Sequence, residues 1–312
     1  MITGASSGAG RAMAVELALH GARLVLAARR KEALEEVVKE CVELGATAIA
    51  VPTDTRHADE VQDLAKAAYH FSGGIDVWIN NAGVLAAGAL DEVPAEVSGN
   101  VIRTNLIGYM NGAHAVLPYF KAQERGILIN NISVGGWFPT PYAAAYSASK
   151  FGLRGFSESL KGELRPFPQI HVCDLYPGFL DTPGIQHAAN YTGKVLKPAP
   201  PVHDPRMVAR AVVRMIARPK SSFTDASSAF LRLAHALFPA MSRNTTAATI
   251  RTYLGQAESI ARTPGNVLEP VEYGRGIDGG WRVQTARPTW KASLGMALLT
   301  GLALGLAAAR RG

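Results

Sequence analysis

Tyr146-Ser147-Ala148-Ser149-Lys150 sets a phenol and an ammonium four residues apart. On a helix that spacing puts both groups on one face. A phenol titrates near ~10 and does little acid–base work at neutral pH. A fixed cation beside it favours the phenolate and lowers that value. Tyr146 next to Lys150 therefore has the makings of a proton donor and acceptor for a carbonyl/alcohol pair. The same spacing also arises on ordinary helix surfaces, so the pair acquires meaning only from what positions it.

A second cluster opens the chain. Gly4, Gly8 and Gly10 are spaced G-x-x-x-G-x-G, with Ser6 and Ser7 between them, and an Ala-rich apolar run follows. Glycines let the backbone turn sharply and approach a diphosphate, and the helix that follows aims its N-terminal amides at that charge. A glycine turn without a ligand is the competing interpretation.

The intervening chain alternates. Residues 22–28 read as a short buried strand, 31–44 as an amphipathic helix, 46–51 as a strand, 57–71 as a helix and 75–80 as a strand. Further on, 169–176 reads as a strand, 204–217 as a helix and 221–224 as a last strand. This alternation predicts an α/β fold, a doubly wound parallel sheet of the Rossmann type with a C-terminal extension. Ligands in such sheets sit beyond the carboxyl ends of the strands, where the strand order reverses. Gly4, Arg29, Asp54, Asn81, Ser133 and Pro177 each fall at one of those ends.

Composition narrows the classes. The 312 residues are 48% hydrophobic and 18% charged, enough for a real core. The net charge is +7, with six basic and three acidic side chains in 263–312, but no Lys/Arg run makes a nucleic-acid stripe. Cys41 and Cys173 lie in apolar contexts and read as buried, reduced thiols, which suits a cytoplasmic compartment. No basic stretch followed by an apolar run marks a signal peptide, and no ligand spacing marks a metal site.

Taken together, Thr3-Gly4-x-x-x-Gly8-x-Gly10, Asn80-Asn81-Ala82-Gly83, Asn105 in Asn105-Leu106-x-Gly108, Ser133 thirteen residues before Tyr146, Tyr146-x-x-x-Lys150 and Pro177-Gly178 resemble the short-chain dehydrogenase/reductase family in order and spacing. The resemblance covers residues 1 to about 182. It implies hydride transfer between a nicotinamide and a ketone or secondary alcohol. Tyr146 would be the acid/base, Lys150 would lower its pKa and bind the nicotinamide ribose, Ser133 would polarise the carbonyl, and Asn105 would hold a relay water. It also implies that Asp54 meets adenine, that Asn81, Ala82 and Gly83 line the adenosine ribose, and that Thr182, beyond Pro177 and Gly178, holds the carboxamide. Homodimers or homotetramers through the helices after Val97 and around Tyr146 are implied as well. An acid at the end of the second strand would repel a 2′-phosphate. Here Ala28 is followed by Arg29 and Arg30, and a guanidinium suits a phosphate dianion. NADP(H) is thus favoured over NAD(H), with Arg29 as the contact. The rival class is a non-catalytic NADP(H)-binding sensor or scaffold, which has no need to keep Tyr146, Lys150, Ser133 and Asn105 together.

Two departures from the family pattern stand out. Only Met1 and Ile2 precede the Thr3-Gly4 turn, so a missing N-terminal segment or a misassigned start codon is expected, and Ala9 replaces the usual Ile. The catalytic domain is drawn as 1–262, with a substrate lid within about 183–245, a Gly/Pro-rich linker at 263–290 and an apolar helix at 291–312. Phe230, Leu233, Leu237, Phe238 and Met241 fall at helical spacing and suit either core packing or a lid toward an apolar substrate or a bilayer. From Ala292 to Ala309 no charge occurs. As a helix this run would be about 27 Å long, short for a span but flanked by Trp290, Lys291 and Arg310-Arg311, so it is a candidate membrane anchor.

Overall fold

Strands covered on both faces read as unbroken apolar runs, and Arg23–Ala28 does so, with Leu24, Val25, Leu26 and Ala27 all buried. In the computed structural model, which describes residues 1–282, it is one of seven parallel strands. In chain order the elements are β1 (Ile2–Thr3), α1 (Gly8–Ala18), β2 (Arg23–Ala28), α2 (Lys31–Glu43), β3 (Thr47–Pro52), α3 (Ala58–Ser72), β4 (Val77–Asn80), β5 (Ala86–Ala87), α4 (Ala95–Ile102), α5 (Gly108–Gln123), β6 (Gly126–Asn131), α6 (Ala144–Glu163), β7 (Ile170–Tyr176), β8 (Ala189–Asn190), α7 (Arg206–Ala217), β9 (Ser222–Thr224), α8 (Ala226–Leu237) and α9 (Pro239–Gln256). The main sheet runs β3-β2-β1-β4-β6-β7-β9, and β5 pairs with β8 apart from it. The strand order reverses between β1 and β4, which opens the crevice where the glycine turn lies.

One face of the sheet is covered by α1, α2 and α7 through Met13, Leu17, Leu34, Val37, Val208 and Val212. The other is covered by α3, α5 and α6 through Leu64, Val116, Phe120 and Leu160. Register is regular, for example Arg23↔Thr47 through Ala28↔Pro52 between β2 and β3. The central β1 has only two residues, yet Ile2 pairs with both Leu26 and Ile79. Met1 extends the ladder: its carbonyl accepts from the Ile79 amide at 2.9 Å.

Two regions go beyond what the sequence reading settles. The apolar residues of 226–243 do not enter the core: Phe230, Leu233, Leu237, Phe238 and Met241 are exposed, and α9 buries none of its residues. The break at Pro239 also divides what periodicity alone joins. The stretch drawn as a linker from 263 is, as far as Trp281, part of the same compact unit as the sheet. Thr263 bridges Asn190, and Val267 is fully buried beside Val84, Val101 and Ala189. Gly and Pro deny this strap a helical or strand period, and it is held by backbone groups instead. The apolar run from Ala292 to Ala309 lies outside the described residues. Among the described residues no helix is long and apolar enough to cross a membrane.

Candidate active site

The crevice beyond β1 and β4 is built by backbone that only glycine fits. Gly4 has φ +63°, and a Cβ there would lie 2.7 Å from the Ala82 Cα. A Cβ on Gly10 would run into the Gly4 carbonyl and come within 2.6 Å of Asn81 Nδ2. Asn81 fastens the turn: its side-chain amide donates to the carbonyls of Thr3 at 3.0 Å and Gly4 at 3.2 Å. Asn131, at the end of β6, donates to Asn81 Oδ1 at 2.8 Å. The α1 N-terminus opens onto this crevice without a side-chain cap.

The chemistry-bearing groups stand on the far wall. Tyr146 and Lys150 occupy the first two turns of α6, on the face toward β6. Ser133 sits just past β6 with φ +93°, a backbone state that costs a non-glycine residue about 1–3 kcal/mol and persists where its surroundings hold it. Its hydroxyl accepts from the Gly135 amide at 3.2 Å, and it lines the same cavity as the Tyr146 phenol. Lys150 Nζ donates to the Asn131 carbonyl at 3.3 Å, and Tyr109 Oη donates to the same carbonyl at 2.9 Å. Burial pushes Lys150 down to about 7. Burial also raises the Tyr146 phenol, with the neighbouring Ser133 hydroxyl pulling it part of the way back. The phenol is thus raised here, where the residue pattern alone anticipates lowering by Lys150, because a dry pocket disfavours charge on both partners.

Asn105 lies in a π-helical turn (Arg103–Ile107) between α4 and α5. Such single turns interrupt helices where a side chain must be aimed. Its amide group is fully buried and committed: Nδ2 donates to the Val84 carbonyl at 2.9 Å and Ser149 Oγ at 3.2 Å, while Oδ1 accepts from the Val84 amide at 2.8 Å. It braces the chain after β4 against α6.

At the other end of the crevice, Arg29 follows β2 and is half-buried. Burial lowers its pKa, partly opposed by Asp54. The Asp54 carboxylate is gripped by Arg56 through Nε–Oδ1 at 3.0 Å and Nη2–Oδ2 at 2.6 Å. Burial alone would raise Asp54, but the Arg56 hydrogen bonds hold it below the usual carboxylate range. The strap crosses in front. Arg29 donates to the carbonyls of Asn266 at 2.6 Å and Leu268 at 3.3 Å, Arg30 to that of Val271, and Arg11 to that of Arg275 at 2.9 Å. The Gly8 amide donates to the Gly276 carbonyl at 2.9 Å, and Trp281 Nε1 to that of Thr182 at 3.1 Å.

The result is one cavity of about 410 Å³. Gly4, Ser6, Ser7, Gly8, Gly10, Arg29, Asp54, Asn81, Ala82, Gly83, Ser133, Tyr146, Lys150, Pro177, Gly178 and Thr182 all line it, and Asn105 alone of the residues assigned a catalytic or cofactor role from sequence does not. Sequence reasoning passes over Asn131, Arg56, His187 and the strap residues Asn266, Val271 and Tyr273. Arg56 carries a signal in hindsight, since Asp54-Thr55-Arg56 at a strand end permits the local pairing seen here. The strap carries none. Cys41 and Cys173 are buried away from the cavity, and burial pushes both thiols up to about 11. Among the described residues no group of acidic, His or Cys side chains could hold a metal ion.

This arrangement is that of the short-chain dehydrogenases, and the chain belongs to that family: the family described as short chain dehydrogenase matches residues 1–191. Among individual proteins, it is 35% identical over 245 residues to the uncharacterized oxidoreductase YxnA of Bacillus subtilis (strain 168), covering 77% of this chain and 68% of that one. It is 32% identical to dehydrogenase/reductase SDR family member 7 of Mus musculus over 63% of this chain and 59% of the mouse protein. A metagenomic short-chain oxidoreductase solved in complex with NADP superposes with a TM-score of 0.61 at 32% identity, over 72% of this chain and 93% of that one. The protein is accordingly an oxidoreductase of this family.

Proposed function

We propose that the protein interconverts a carbonyl and a secondary alcohol with NADP(H), with Tyr146 as the acid/base. The carrying observation is that Ser133, Tyr146 and Lys150 line one cavity together with the glycine turn, with Tyr146 and Lys150 one helical turn apart on α6. The residues present fit a dinucleotide. The Gly4 and Gly10 turn packs backbone against backbone and leaves the uncapped α1 N-terminus open to the cavity, and the Asn131 and Asn266 side-chain oxygens are buried beside the cavity with no protein donor. Gly4 to Gly10 would hold the diphosphate, Asn81 to Gly83 and Asp54 the adenosine, Arg29 the 2′-phosphate, and Thr182 and Lys150 the nicotinamide half. A nicotinamide bound there supplies or accepts hydride.

The chain's own part is then proton management. Tyr146 gives its proton to the carbonyl oxygen while Ser133 donates a hydrogen bond to the same oxygen, and Lys150 stabilises the phenolate left behind. Lys150 held near 7 is poised to return a proton at neutral pH. NADP is found in the solved metagenomic relative, and Arg29 here stands at the end of β2 where an acid would exclude a 2′-phosphate. An apolar substrate is favoured by Leu85, Val134, Phe179 and Ile185 in the cavity lining. Assembly into homodimers or homotetramers is part of the same reading, supported by exposed Ile107 and Met110 beside the long helices.

The test is cofactor oxidation across a ketone panel with NADPH and NADH in parallel, with Tyr146→Phe as the control. Turnover with NADPH that disappears in the variant supports the reading. NADPH turnover retained in Tyr146→Phe would overturn the acid/base assignment, and binding of NADPH with no turnover on any ketone or alcohol would favour the sensor class.

A further inference from the structure

The strap brings to the cavity a polar atom that nothing in the chain satisfies. Asn266 lines the cavity at the Arg29 end, and its side-chain oxygen is buried without a hydrogen-bond donor. A buried acceptor left unmatched costs roughly 1–3 kcal/mol, so such atoms persist where something else completes them. The backbone around it is fixed from both sides. The Asn266 amide donates to the His187 carbonyl at 2.8 Å, and its carbonyl accepts from Arg29 Nη2 at 2.6 Å. The next residue, Val267, is fully buried and pins the strap to the body of the protein. Asn266 is thus held in place by its backbone and its neighbour, while its side chain contributes nothing to that anchoring.

We propose that Asn266 is a dinucleotide-binding residue, contributed to the cavity by the strap. This rests on reading the cavity as the dinucleotide site. An orphaned acceptor calls for a donor. Phosphates at neutral pH offer only acceptors, so the matching groups on a dinucleotide are a ribose hydroxyl or an amino hydrogen. The Asn266 side-chain oxygen accepts from one of these, and the Asn266 and Leu268 carbonyls take two of the N–H groups of Arg29. The remaining N–H groups of that guanidinium are left for a 2′-phosphate. The strap thereby acts twice, once through the Asn266 side chain and once by fixing the direction in which Arg29 points.

The experiment is equilibrium titration of NADPH fluorescence, together with the NADPH release rate by stopped-flow displacement, on the full chain and on Asn266→Ala. Glu272→Gln serves as control, an exposed strap residue outside the cavity. Thermal melting of each ligand-free protein reports on the fold. In Asn266→Ala the Kd for NADPH should rise about five- to tenfold, the loss of one buried hydrogen bond, with faster release and no fall in the ligand-free melting temperature. Glu272→Gln should match the parent. Equal affinity of the parent and Asn266→Ala overturns the proposal while leaving the proposed function standing. A weakened affinity accompanied by a matching drop in ligand-free melting temperature also overturns it, because that pattern is structural. Failure of the parent chain to bind either NADPH or NADH removes the dinucleotide site itself and this inference with it.

Discussion

Replacing Lys150 by Met should make the ligand-free protein more stable near neutral pH, and should do so in a pH-dependent way. Lys150 is buried among Tyr109, Tyr146 and the end of β6, with one hydrogen bond to the Asn131 carbonyl. Burial depresses its pKa from 10.5 to about 7. Above 10.5 the amine is neutral in both folded and unfolded chains and the burial of charge costs nothing. As pH falls from 10.5 to 7, the unfolded chain takes up a proton that the native one does not. Stability therefore declines by about 1.4 kcal/mol per pH unit across that window, about 4–5 kcal/mol in all, and the decline stops below pH 7. Methionine has a similar length, no charge to desolvate, and fills the same space among the rings. The variant should lack this slope and exceed the parent by several kcal/mol at pH 7, less about 1 kcal/mol for the lost hydrogen bond. Urea unfolding of both ligand-free proteins at pH 7, 8, 9 and 10 measures it, and the difference between them isolates the lysine because every other titrating group is shared. Parallel pH profiles, or a variant less stable than the parent at pH 7, would refute the claim that this ammonium is held against its solvation.

Other outcomes follow from the same geometry. Tyr146→Phe removes the phenolic oxygen and keeps the ring, so kcat should fall by about 10²–10⁴ while the Kd for NADPH stays within a factor of two or so. A joint loss of binding and turnover would show that the ring, not the proton, was disturbed. Gly10→Ala drives a methyl into the Gly4 carbonyl, which should cost about 1–3 kcal/mol of stability and weaken NADPH binding at least about tenfold. Calorimetric unfolding and NADPH titration report the two effects separately. Arg29→Asp should reverse the cofactor preference from NADPH toward NADH, read as the ratio of kcat/KM values. An unchanged ratio would remove the 2′-phosphate argument.

The glycine turn and the Tyr146/Lys150 pair are legible in the sequence because each is a local rule. Gly4 and Gly10 mark places where backbone meets backbone, and a four-residue spacing means one face of a helix whatever surrounds it. The strands are legible because burial on both faces leaves unbroken apolar runs. What lies beyond reach is whatever depends on partners far along the chain. Periodicity in 226–243 shows that an apolar stripe exists, but not whether anything covers it, and the stripe is exposed. The Tyr146 phenol is anticipated as lowered by its lysine, yet burial governs both groups. The strap is the sharpest case: arginines hold its backbone carbonyls, and a carbonyl leaves no trace in residue type.

The separation of those partners also bears on how the protein is made. Arg11 and the carbonyl it binds are 264 residues apart, so during synthesis the glycine crevice leaves the ribosome long before Arg275 does. Domains fold as they emerge, N-terminal parts first, and the sheet can form around an open cleft to which the front wall is added last. A nascent chain stalled near residue 262 would thus present an unroofed nucleotide cleft that the finished protein never shows.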